Sequence, residues 1–163
     1  MEAKKYDVTA LGELLVDFTA GPVSSQGNPT FEANPGGAPC NVLSMLQRLG
    51  HQTAFIGKVG KDAFGEMLKE KAGAQGIDMS GLSMDDSVHT TLAFVQKLAN
   101  GGRDFSFYRK PGADIMLRPE DVRAHRDLIE QSEIFHFGTL SMTDELVDRA
   151  TKEALTIAKD NGD

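Results

Sequence analysis

Apolar and polar runs divide the chain into short strand-like pieces and longer helix-like ones. Tyr6 to Leu11 is a compact apolar run of strand formers closed by Gly12, the pattern of a buried strand. Leu14 to Thr19 continues in extended character. Gly21 to Pro35, with Gly21, Pro22, Gly27, Asn28, Pro29 and Pro35, reads as a surface excursion holding a short strand over Thr30 to Ala33. After Pro35-Gly36-Gly37-Ala38-Pro39 the period changes. Val42, Leu46 and Leu49, with Leu43 and Met45, predict a helix beginning near Asn41 and stopped by Gly50. Thr53 to Val59 is the next strand. Ala63 to Ala74 is a helix with Phe64, Met67 and Leu68 inward and Lys69, Glu70 and Lys71 outward. Strand and helix alternate, so a mostly parallel sheet covered by helices is expected.

The middle of the chain departs from that rhythm. Thr90 to Lys97 and Arg103 to Arg109 are strand-like and joined by Leu98-Ala99-Asn100-Gly101-Gly102, which predicts an antiparallel hairpin. Alternation puts Phe105, Phe107 and Arg109 on one face and Ser106 and Tyr108 on the other. The α/β order then resumes. A helix runs from Pro119 to about Gln131, a strand from Ile134 to Gly138, and a helix from Thr143 to Asn161 with Leu146, Val147, Ala150, Ala154, Ile157 and Ala158 inward.

Composition narrows the function classes. A length of 163 residues allows a real core without staples. The net charge of −7 argues against a nucleic-acid or anionic-membrane surface, which needs clustered Lys and Arg. The single cysteine, Cys40, permits neither an internal disulfide nor a Cys-based zinc site. The first apolar run is too short for a secretory signal or a membrane span, so a cytoplasmic location is the default expectation.

Candidate chemistry concentrates at Asn34-Pro35-Gly36-Gly37-Ala38-Pro39-Cys40-Asn41. Adjacent glycines let backbone approach a ligand closely, just ahead of a helix start. Asn41 offers a donor and an acceptor to a hydroxyl-rich ligand. A plain Gly-Pro turn with Asn41 capping the helix explains the same residues as well. Asp17 follows the first strand, and a carboxylate at a strand's carboxyl end, where open α/β sheets place their ligand crevices, can accept two hydroxyl protons; read alone, it is a solvated turn residue. Glu13 reads as structural or exposed. No G-x-x-x-x-G-K-[ST] pattern or dinucleotide glycine fingerprint occurs. His51, His89, His125 and His136 lack metal-ligand spacing, and His136, between Phe135 and Phe137, is expected to be a buried, hydrogen-bonded strand residue. Ser141 and Thr143 read as helix-capping residues, and Cys40 as inert despite its helix start.

Taken together, these segments resemble the PfkB (ribokinase-like) carbohydrate kinases across essentially the whole chain. Gly36-Gly37-Ala38-Pro39-Cys40-Asn41, followed by Gly50 and Gly60, is similar to that family's first signature, although Leu43 stands where a small residue is usual. Gly12-Glu13 to Asp17-Phe18 resembles the family's first strand and sugar-binding aspartate. Phe105-Ser106-Phe107-Tyr108-Arg109, Pro111-Gly112-Ala113-Asp114 and His136-Phe137-Gly138-Thr139-Leu140-Ser141 look like fructokinases within it.

The resemblance implies a ribokinase-like α/β fold, a mostly parallel sheet flanked by helices with a small β-lid from segments of about 13–35 and 88–113, residues 1–163 forming its amino-terminal half. It implies ATP with Mg²⁺ as phosphoryl donor, a sugar as acceptor, and a homodimer through the lid. Asp17, Gly36, Gly37 and Asn41 would fix sugar hydroxyls, Phe107 would pack on the apolar face of the sugar, and Arg109 would bond its oxygens or the incoming phosphoryl group. The family's Gly-Ala-Gly-Asp and Asn-x-x-Glu motifs are absent from these residues, so the catalytic base and the ATP pocket are expected in a second half and no catalytic residue is named here. A 2-keto-3-deoxygluconate kinase, in which Arg109 answers a carboxylate, and a non-catalytic sugar-binding fragment are the alternatives.

Overall fold

The computed structural model describes residues 4–97 and 101–162. Leu98 to Asn100 of the expected hairpin loop lie outside the described residues. The elements run β1 (Tyr6–Leu11), β2 (Leu15–Ala20), β3 (Phe31–Gly36), α1 (Ala38–Arg48), β4 (Thr53–Gly60), α2 (Ala63–Gly73), β5 (Asp78–Asp85), β6 (Leu92–Lys97), β7 (Arg103–Tyr108), α3 (Pro119–Ala124), α4 (Arg126–Glu130), β8 (Ser132–Phe137) and α5 (Glu145–Asn161).

The main sheet has the order β5-β4-β1-β8, and every pairing in it is parallel. Helices cover both faces, as a parallel sheet requires. One face packs Leu14, Leu43, Phe55, Val59 and Leu68 under α1 and α2. The other packs Leu11, Ile56, Val122, Ile129, Val147 and Ala154 under α3, α4 and α5. Strand β4 is buried along its whole length.

Local chemistry sets the helix ends. Asp62 accepts hydrogen bonds from the Phe64 and Gly65 amides and starts α2, and Asp144 does the same for α5 through Leu146. Helix α1 starts at Ala38, earlier than expected, with Gly37 as its N-cap and Pro39 in the first turn, where a missing N–H costs nothing. Asn41 therefore sits inside the helix and does not cap it.

Other expectations are corrected. The helix predicted from Pro119 to Gln131 breaks at His125, whose φ of −123° and ψ of 26° leave the helical region. The cap of α5 is Asp144; Ser141 is buried in a 3-10 turn and Thr143 Oγ1 donates to the Leu140 carbonyl. His136 is half-buried, because β8 is an outer strand of its sheet among the described residues. The strand expected at Thr30 to Ala33 runs from Phe31 to Gly36.

A second sheet has the order β3-β2-β6-β7. The antiparallel pairs β2–β3 and β6–β7 are joined through parallel pairing of β2 with β6. Register puts Asn34, Asp17, Ala93 and Phe107 side by side in one transverse row, so their side chains share a face. The opposite face carries Phe18 stacked on Phe94 at 4.9 Å, with Phe31, Tyr108 and Phe64 of α2 edge-on around the pair.

Candidate functional site

The site begins where β3 runs into α1. A Cβ on Gly36 would overlap Asp17 Oδ2 and lie 2.7 Å from Asp17 Cγ, so the aspartate side chain occupies the space that a side chain at 36 would need. Gly37 has φ +119°, and a Cβ there would overlap the Glu13 carbonyl oxygen. This position therefore requires glycine on two counts. The diglycine turn brings backbone close both to the Asp17 carboxylate and to the end of β1.

Burial pushes the Asp17 carboxyl above its ordinary pKa. No hydrogen bond to the carboxylate is formed among the described residues, which leaves its oxygens as acceptors for hydroxyl protons. Gly36 and Asn41 line a cavity of about 250 Å³ together with Pro35, Ser44 and Arg48, and Asn41 is exposed.

Phe107 and Arg109 stand differently. Phe107 shares the transverse row of Asp17 but is exposed, stacked on Phe105 at 6.0 Å. Arg109 is bound to the body of the protein. Its Nε donates to Asp114 Oδ2 at 2.7 Å and its second terminal nitrogen lies 2.6 Å from the same oxygen. Thr91 Oγ1 donates to the other oxygen of Asp114 at 2.5 Å. Phe107 and Arg109 line a larger cavity of about 640 Å³, bounded also by Leu92 and Tyr108 and, at the start of α2, by Asp62 and Phe64. Asp17, Gly36 and Phe107 are thus linked by contact and register, whereas Arg109 opens toward a cavity that Gly36 and Asn41 do not line.

Sequence reasoning passed over two buried carboxylates. Glu13 is 5% exposed, its Oε1 accepting from the Ala38 amide at 2.8 Å. Its place between two apolar runs, with no polar stretch after it, is the signal that marks burial. Asp114 is 4% exposed and satisfied by Arg109 and Thr91. Cys40 is buried, and burial pushes its thiol up to about 11 against a hydrogen bond from Ser44, so it stays protonated and inert. Among the described residues no three His, Cys, Asp or Glu side chains converge as metal ligands. No described helix is long and apolar enough to cross a membrane.

Known proteins resemble this chain in sequence and in fold. Probable fructokinase-3 of Arabidopsis thaliana is 40% identical over 157 residues, covering 95% of this chain and 45% of that protein. The crystal structure of fructokinase from Xylella fastidiosa superposes with a TM-score of 0.87 at 34% identity, over 96% of this chain and 48% of that one. The same enzyme with bound ATP superposes with a TM-score of 0.86. The chain therefore spans about half the length of the relatives it matches. Residues 5–163 match the pattern described as pfkB family carbohydrate kinase, and the chain belongs to that family.

Proposed function

We propose that this chain supplies the sugar-binding side of an ATP-dependent kinase that phosphorylates fructose. The observation that carries the reading is the packing of Gly36 against the Asp17 carboxylate, in the same transverse row as Phe107. Two polyol hydroxyls can donate to a carboxylate while backbone amides of a glycine turn reach the same oxygens. Asp17, Gly36, Gly37 and Asn41 then fix the sugar, and Phe107 covers its apolar face. Arg109 keeps one terminal nitrogen beyond those engaged by Asp114 for an oxygen of the sugar or of the transferred group.

The second sheet acts as the lid over this site, excluding water so that the γ-phosphoryl group passes to the sugar oxygen instead of to water. The new bond joins that oxygen to phosphorus, the bridging P–O bond breaks, and ADP leaves. The nucleotide with its Mg²⁺ and the group that takes the hydroxyl proton belong to the half that these residues do not include. A second copy packs against the aromatic face of the lid, where Phe31 and Tyr108 are 47% and 66% exposed. The cytoplasm, where ATP is supplied, is the working location. A keto-deoxy acid as substrate has less support, because Asp114 already neutralises Arg109.

Titration of the chain with fructose, glucose, ribose and 2-keto-3-deoxygluconate by calorimetry tests the binding half of the proposal, with fructose expected to bind best. The protein extended through a second half should consume ATP with fructose in a coupled assay. Absence of turnover across ketoses and ketodeoxy acids sinks the kinase reading.

A further inference from the structure

Glu13 has a role that the sugar pocket alone does not require. It follows β1 directly and is buried between the end of that strand and the first turn of α1. Its Oε1 holds the Ala38 amide, the first helical residue after the diglycine turn, at 2.8 Å. Its carbonyl oxygen lies where a Cβ on Gly37 would be. Glu13 thus grips the turn from both sides, by main chain and by side chain. Close packing around it removes slack. A Cβ on Gly12 would overlap the Pro39 ring, and one on Gly138 would sit 2.8 Å from Pro39 Cγ and 3.1 Å from Glu13 Oε2.

The other carboxylate oxygen shows that this is more than a helix cap. Glu13 Oε2 is shut off from solvent and takes no hydrogen bond among the described residues. A buried carboxylate oxygen without a partner is unfavourable, and a cap alone is served by Ser, Thr or Asn without that cost. At position 13 any of them would draw its oxygen back by at least one methylene from the Ala38 amide, which Glu13 Oε1 reaches at 2.8 Å. A residue of glutamate length fastens the turn to the main sheet, and β2, the strand of the second sheet that carries Asp17, begins only two residues later.

We infer that Glu13 is the positioning residue of the sugar-binding turn: its carboxylate oxygen on the Ala38 amide fixes Gly36, Gly37 and Asn41 relative to Asp17. The inference rests on the sugar-binding reading, and its test separates the two. Amide exchange at Ala38, followed by NMR, reports the clamp without any sugar. Fructose titration reports its consequence.

Glu13→Ala is expected to speed Ala38 exchange and to weaken fructose binding by about tenfold or more. Glu13→Asp, which keeps the charge but draws the oxygen back by one methylene, should do the same and guards against loss of fold in the alanine variant. Glu13→Gln keeps an oxygen at the original reach and should restore affinity to within about threefold of the parent chain. Asp144→Ala, which removes the α5 cap away from the turn, should lower the thermal midpoint and leave affinity unchanged. Parent-like fructose affinity in both Glu13→Ala and Glu13→Asp overturns the inference, as does a loss in Glu13→Gln as large as in Glu13→Ala. A parent chain that binds no sugar, with Ala38 exchange still governed by Glu13, defeats the fructose reading and leaves the clamp standing.

Discussion

Gly36 and Asp17 occupy one shared volume: a methyl group on the Gly36 α-carbon would overlap Asp17 Oδ2 and sit 2.9 Å from Leu15 Cδ1. The nearest obstruction is the far end of a side chain that can swing away, and the φ of Gly36 is not in the left-handed region. Gly36→Ala should therefore cost only about 1–2 kcal/mol of stability while displacing the carboxylate. Fructose affinity should fall about tenfold or more. Paired urea melts and calorimetric titrations read the two effects separately.

Asp17 itself should trade stability for binding. Burial raises its carboxyl pKa, so the folded chain holds that proton more tightly than the unfolded one. Its contribution to stability consequently declines as pH rises from the unfolded value to the folded one, then stays constant. Asp17→Asn should remove that decline, leave the chain at least as stable at neutral pH, and abolish measurable fructose binding. Urea midpoints between about pH 3 and pH 7 check the sign. A neutral-pH midpoint well below that of the parent chain would count against it.

Asp114 is expected to behave as a structural anchor for the end of β7. Its loss leaves the mostly buried Arg109 cation unneutralised and Thr91 without its acceptor. Asp114→Ala should cost about 3–5 kcal/mol by chemical denaturation. Glu120→Ala, which breaks an exposed pair with Arg123, should cost no more than about 1 kcal/mol in the same measurement.

Asp62 links the start of α2 to the approach to β6. It accepts from the Phe64 and Gly65 amides and from both the amide and the hydroxyl of Thr90. Burial pushes its carboxyl up, but these bonds outweigh it and hold the pKa below the usual carboxylate value. The stabilisation is complete above the unfolded-state pKa and is lost as pH falls through the folded one. Asp62→Ala should cost about 1–2 kcal/mol at pH 7. It should also flatten the acid limb of the stability curve, read from thermal midpoints across pH.

Much of this was legible in the chain because the governing signals are local. Strands β1 and β4 are short buried runs, α2 and α5 carry clear apolar stripes, and the Gly36-Gly37 turn announces a close backbone approach. Strand β5 was not legible: Asp78, Ser80, Ser83 and Asp85 interrupt its apolar positions, and its pairing with the fully buried β4 overrides weak propensity. The parallel pairing of β2 with β6 joins distant segments, and no local pattern specifies it. Arg109 illustrates the limit for the site. The family resemblance implied a ligand contact for it, yet only the fold reveals that Asp114, itself bonded by Thr91, already holds it.

The side-by-side pairing of β2 with β6 has a consequence for how this protein can go wrong. Strand side chains alternate, so a slip of one residue in that pairing would turn Phe18 to the face that carries Phe107 and bury Asp17 among the rings of Phe94 and Tyr108. Misregistered molecules would keep their helices and main sheet while losing the row that Asp17 shares with Phe107. The stacked rings of Phe18 and Phe94 on the reverse face thus favour the native alignment, because a slip would separate them.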